Sequence, residues 1–327
     1  MRLTTTAEVP TGRQFRISSA GDGHLVSAII TEVGGTIRSL TVDGQPLIEE
    51  FPEHGLPLHC EGEILIPWPN RVRDGRWEHN GDVFQLAINE PERGNAIHGL
   101  VKDQPHTMVR QAADELTLRV QIAPSGGYPF ALGVETTYAV SARGLTVVHA
   151  LTNNSARPAP AAIGAHPYIR VGETPTEDVA LTVSAASCVM VDDRLNPVGS
   201  GPVAGTSFDL SAGPKVGRLE LDTAYFDLAA SPDGTYRHTL EAPNGDAVEV
   251  WGDRNYCYAQ VYTTNHYPAG GHRTAVAVEP MTALPDAFNS GAGLRWLDPG
   301  ETWRSSWGIT HGFARTPGTN DRGDNQP

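Results

Sequence analysis

The chain has 327 residues, of which 39% are hydrophobic and 35 are glycine, enough apolar surface for a core that needs no disulfide or structural-metal staples. Its formal net charge is -14 and its pI about 5.2, which works against nucleic acid and anionic membrane surfaces as partners and favours a small-molecule ligand. Cys60, Cys188 and Cys257 are odd in number and far apart, the pattern of free thiols in a reducing compartment rather than of a disulfide framework or a zinc site.

Short strands are expected at Leu25 to Thr31, Thr36 to Val42 and Leu47 to Glu50. Asp43-Gly44 joins the last two, a pair that accepts the positive φ angles of a type I′ turn. Pro67 and Pro69 then break regular pairing across Gly62 to Gly75, leaving an irregular loop that carries Asn70, Arg71, Arg73 and Arg76. A hairpin about Asn80-Gly81 follows, then a second loop, Glu90 to Leu100, that presents His98. Leu116, Leu118, Val120 and Ile122 alternate with polar residues, the period of a half-buried strand. Val134 to Val140 and Leu145 to Asn153 form another hairpin, and a run of small residues leads to His166-Pro167. Further strands are expected at Val179 to Val183, Cys188 to Val191, Leu221 to Leu228, around Asn244-Gly245 and at Tyr256 to Thr264, with a final pair around Arg295 to Ile309. No helical period interrupts them, so the pattern indicates an all-β, antiparallel sandwich or barrel. Residues 1–314 read as one domain, and the polar stretch from Arg315 as a disordered tail.

Thr274 to Val278 read as a buried strand that runs into Glu279 and Pro280, where the proline is expected to end it. A carboxylate at a strand end is either solvated or held for chemistry above a rigid scaffold. The other candidates have alternatives of the same kind. Arg71 in a loop is a surface cation or a ligand clamp, and His98 is a buried structural ring or a binding group. Asp222 caps the turn at Thr223-Ala224 or faces a ligand. His166 is the strongest candidate, because the small-residue strand, a proline and Tyr168 fix its orientation. No HxH or HExxH pattern, Walker loop or GxSxG elbow is present, and lysine occurs only at Lys102 and Lys215. Metal, nucleotide and Schiff-base chemistry therefore find little to work with, and no cofactor is expected. One histidine and one glutamate remain as an acid and base, with arginine, histidine and aspartate as hydrogen-bond partners for a polyhydroxylated ligand. No apolar run approaches the roughly 20 residues of a membrane span, so a soluble cytoplasmic protein, monomer or homodimer, is expected.

Asn70-Arg71, His98-Gly99, His166-Pro167-Tyr168, Leu221 to Phe226 and Val278 to Asn289 resemble, in order, the motifs of the aldose 1-epimerases, the galactose mutarotase family. The resemblance spans about residues 15 to 313. It implies a large antiparallel β-sandwich of the galactose mutarotase-like type with a sugar in an open cleft. It further implies that Glu279 is the general base and His166 the general acid, and that Arg71, His98 and Asp222, with Asn70 beside them, bind the substrate.

The sequence departs from the family pattern at His98-Gly99-Leu100, where a second glycine is usual, and at His166 to Arg170, where the family has H-x-Y-F-N. Its PWPNR and HGL forms are more similar to a bacterial subgroup that includes epimerases for sulfonated glucose. An anionic hexose, sulfonated or phosphorylated at C6, is thus an alternative substrate, with Arg73, Arg76 and Arg170 as the expected anion-binding set, since a guanidinium fork matches such groups. A non-catalytic sugar-binding protein and a glycosidase pairing Glu279 with Asp222 are the alternatives from other classes.

Overall fold

The computed structural model describes residues 9–268 and 273–314; the tail expected from Arg315 lies outside the described residues. Two broad antiparallel sheets dominate. An eight-stranded sheet runs, in spatial order, Thr107–Gln111, Glu115–Ile122, Leu132–Ser141, Gly144–Asn153, Thr302–His311, Ala247–Gly252, Tyr236–Glu241 and Ala180–Val183. A seven-stranded sheet runs Pro197–Pro202, Ala185–Val191, Asp222–Leu228, Tyr258–Tyr267, Arg273–Met281, Gly164–Ala165 and Ile64–Leu65. Inward residues of both, such as Val147 and Leu151 from the first and Tyr225, Val261 and Val278 from the second, belong to one hydrophobic core. The fold is an antiparallel β-sandwich, and the one described α-helix is the single turn Ala287–Ser290.

Local chemistry explains much of the ladder. Leu132–Ser141 alternates buried and half-buried positions along its length, as one apolar face packed on a core requires. Asp43 (φ 50°) with Gly44 (φ 80°), and Asn80 (φ 53°) with Gly81 (φ 84°), adopt the paired left-handed conformations of type I′ turns. Three expectations need correction. Leu47 to Glu50 is not a strand: only Gln45–Pro46 pairs, at the edge of a separate four-stranded sheet with Gln14–Gly21, His24–Thr31 and Ile37–Val42, and Ile48 makes an isolated bridge to Ile169. Arg295–Leu297 and Thr302–His311 do not pair with each other; the first pairs with Ala159–Ala161, the second with Gly144–Asn153 and Ala247–Gly252. The strand carrying Glu279 does not stop there but continues through Pro280 to Met281. Val278 and Thr282 donate to Pro167 and Ile163 on one side, so by alternation Pro280 turns its nitrogen to that same short stretch. The longer ladder with Tyr258–Tyr267 keeps all its donors, and the proline is tolerated.

Candidate active site

The two-residue strands Arg71–Val72 and Ala96–Ile97 pair antiparallel and set Arg71 beside His98. Both corners use left-handed backbone, at Asn70 (φ 53°) and His98 (φ 64°). Asparagine tolerates that conformation, and Asn70 also accepts the Arg71 backbone N–H on Oδ1 at 2.8 Å. After His98 the chain must be glycine, since a Cβ on Gly99 (φ 73°) would meet the Ile66 carbonyl oxygen at 2.2 Å. From the seven-stranded sheet come Asp222 and Glu279. The register pairs Asp222 with Tyr262 and Gln260 with Glu279, so all four project from the same face. Asp222 opens the strand Asp222–Leu228 and caps no turn. His166 follows Gly164–Ala165, and its backbone is clipped to the neighbouring chain by bonds from His166 N to Glu63 O and from Gly62 N to His166 O, each 3.0 Å.

These elements close on one cleft of about 260 Å³, lined by Asn70, Arg71, His98, His166, Asp222 and Glu279 together with His59, Cys60, Glu90, Arg93, Ile97, Tyr168 and Tyr262. Nε2 of His166 stands 3.3 Å from Oε1 of Glu279, and the His98 and His166 rings meet edge to face at 5.4 Å. Arg71 is held by Glu90 through Nε to Oε2 (2.9 Å) and Nη2 to Oε1 (2.8 Å), a bidentate fork that fixes the guanidinium plane. Its Nη1 lies 3.8 Å from Asp222 Oδ2, while Gln260 donates to Asp222 Oδ1.

Glu279 is 2% exposed and His166 6%. Burial pushes the Glu279 carboxyl well above its ordinary range, and the Asp222 charge adds to the push while Arg71 opposes it. Burial lowers His166 to about 4, with Lys102, Arg71 and His59 acting in the same direction. His98 is likewise lowered, first by burial, then by His166, Lys102 and Arg71. The Glu279 and His166 shifts both run towards the uncharged forms of the two groups. Oε2 of Glu279, Nδ1 of His98, Nδ1 of His166 and Oε1 of Gln260 are buried without a hydrogen-bond partner. Each such atom costs about 1–3 kcal/mol, which a ligand rich in hydroxyls is able to recover.

The anion set expected from the sequence is not brought here. Arg73 reaches Asp192 at 3.5 Å and the Pro197 carbonyl, Arg76 is exposed on its hairpin, and Arg170 lies beside Glu173 at 3.7 Å. The cleft's second guanidinium is instead Arg93, 3.1 Å from Glu90, which sequence reasoning missed along with Glu90, Tyr262 and Gln260. Glu90 and Arg93 lie in the loop already marked by His98, a usable signal. Tyr262 and Gln260 gave none, because their facing follows from the register with Glu279. Among the described residues no cluster of three or more His, Cys, Asp or Glu groups could hold a metal ion, and no helix is long and apolar enough to cross a membrane.

A β-sandwich with a buried carboxyl and imidazole at the floor of a polar cleft is the general class that fold and geometry define. The aldose 1-epimerase family profile matches residues 16–310, and the chain belongs to that family. An uncharacterised Escherichia coli K12 protein, YihR, is 31% identical over 292 residues, covering 89% of this chain and 91% of that one. Galactose 1-epimerase from Lactobacillus acidophilus NCFM superposes with a TM-score of 0.72 at 20% identity, over 92% of this chain and 99% of that one. The GalM/aldose epimerase homologue from C. elegans gives 0.78 at 19%, over 92% and 99%. At such identities the likeness is one of fold.

Proposed function

We propose that the protein is a mutarotase that interconverts the α and β anomers of a hexose through Glu279 and His166. The observation that carries this reading is the buried contact of 3.3 Å between His166 Nε2 and Glu279 Oε1 in a cleft with unfilled hydrogen-bonding capacity. The neutral pair, carboxyl and imidazole, holds the same number of protons as the working pair, carboxylate and imidazolium. Passage of the proton from Glu279 to His166 thus arms the site without exchange with solvent. Glu279 then removes the proton from the anomeric hydroxyl, O1 forms a double bond to C1, the C1–O5 bond breaks, and the imidazolium protonates O5. Rotation about C1–C2 presents the other face, and the same transfers in reverse close the ring. Arg71, His98, Asp222 and Asn70 hold hydroxyls, which supplies the positioning part of the rate. Polarimetry of freshly dissolved α-glucose and α-galactose tests the reading. Wild type accelerates equilibration; sugar binding without acceleration would leave a non-catalytic binding protein.

Arg93 supports a second reading, a hexose carrying a C6 sulfonate or phosphate, because its guanidinium lines the cleft and is 37% exposed at the side chain. Under that reading kcat/KM for glucose 6-phosphate or 6-sulfoquinovose exceeds that for glucose, and Arg93→Ala removes the preference by about tenfold. Equal discrimination in the variant refutes it.

A further inference from the structure

Below the cleft lies a buried charge pair that the acid–base steps do not use. Lys102 Nζ is 3.3 Å from Oε2 and 3.4 Å from Oε1 of Glu63, with side chains 16% and 3% exposed. Burial pushes the Cys60 thiol, on the cleft wall, well above its ordinary range, and the Glu63 charge adds to the push. Lys102 follows one of the two cleft histidines along the chain, and Glu63 lies on the segment paired with the other. The Glu63 main-chain carbonyl accepts the His166 backbone N–H. Lys102 lies four residues after His98, beyond the turn held against Ile66 by Gly99 and by the 2.7 Å bond from Leu100 N to Ile66 O. The ion pair therefore links the His98 segment to the strand on which the His166 segment is clipped, and the two rings meet at 5.4 Å.

We propose that Glu63 and Lys102 are positioning residues for the acid–base histidine: their ion pair sets the spacing of the His98 and His166 segments. The proposal rests on the mutarotase reading for the roles of Glu279 and His166. Removing one member of a buried pair leaves the other charged and unpaired, so the tie is strong only while both are present. The groups facing His166 are Glu279 at 3.3 Å, the His98 and Tyr168 rings at 5.4 and 5.1 Å, and Arg71, His59 and Lys102 through their charges. Arg71 and His59 act in the same direction as Lys102 but line the cleft. Lys102 does not, so its charge is removable without touching a sugar contact.

The test compares wild type, Lys102→Met, Lys102→Arg and the double variant Glu63→Leu/Lys102→Met by NMR anomer exchange from pH 4 to 8, with NMR titration of the histidines assigned through His166→Asn. Lys102→Met is expected to lower kcat about tenfold with KM within about twofold, and to move the acid limb and the His166 titration up by about half a pH unit, while Lys102→Arg stays within about threefold. A folded Lys102→Met with wild-type kcat and an unmoved His166 titration overturns the proposal. If the single variant does not fold, the double variant, which leaves no unpaired charge, decides by the same two readouts. Absence of anomer exchange in wild type sinks the mutarotase reading, and the titration still decides whether Lys102 acts on His166. Exchange in wild type matched by the variants sinks only the role of the pair.

Discussion

His149 and His166 are both buried histidines, and burial lowers both, to about 3 and about 4; what differs is what surrounds the ring nitrogens. His149 lies in the eight-stranded sheet opposite Thr136. Its Nε2 accepts from Trp307 Nε1 at 3.1 Å, so Nδ1 carries the proton and donates to the Thr136 hydroxyl at 3.0 Å. Every polar atom of that ring is used. His166 meets a titratable carboxyl on one nitrogen and nothing on the other, in a cleft that Arg71 and Asp222 also line. Burial and lowered basicity are therefore shared by a structural histidine and by the one proposed for catalysis. Spare hydrogen-bonding capacity beside an acid, at an opening, separates them.

The largest effect that would break this contrast is on turnover. Glu279→Gln and His166→Asn each lower kcat for anomer exchange by about 10² to 10⁴, with thermal melting near wild type; wild-type polarimetric rates in either variant would remove that residue from the chemistry. Arg71→Ala comes next, because it leaves Glu90 buried with Arg93 as its remaining cation. We expect a loss of about 3 kcal/mol in urea unfolding and a raised KM, and an unchanged midpoint would show that the fork to Glu90 holds nothing.

His149→Gln inverts the pattern of the cleft variants: about 1–3 kcal/mol of stability is lost while kcat stays within about twofold. The pH dependence sharpens this. A histidine whose folded value is depressed contributes its full stability above the unfolded value of about 6.5, and loses it as pH falls towards about 3, at about 1.4 kcal/mol per unit. Wild type should therefore lose more stability between pH 6.5 and 4 than His149→Gln does, as read by chemical denaturation; parallel curves would contradict the buried neutral ring. The smallest effect is expected at Arg73→Ala, Arg76→Ala and Arg170→Ala, each within about twofold of wild-type kcat/KM, since none lines the cleft. A tenfold loss in any of them would restore it to the substrate.

Local sequence determined what local physics controls. Asp43-Gly44 and Asn80-Gly81 become tight turns because few residues accept two consecutive left-handed conformations. The alternation from Leu116 to Ile122 sets one face of its strand inward whichever strand lies beside it. The motif residues Asn70, Arg71, His98, His166, Asp222 and Glu279 were all legible, and the fold brings them to one cleft. Tertiary structure decided the partners. That Arg295–Leu297 joins Ala159–Ala161, that Leu47 to Glu50 finds only one bridge, and that Pro280 costs its strand no bond to Tyr258–Tyr267 all depend on which distant strand arrives alongside. The same holds for the cations: Arg73 and Arg170 are spent on Asp192 and Glu173, while Arg93 reaches the cleft. A guanidinium on a long flexible stem goes to whichever carboxylate the fold brings near, and no spacing along the chain encodes that choice.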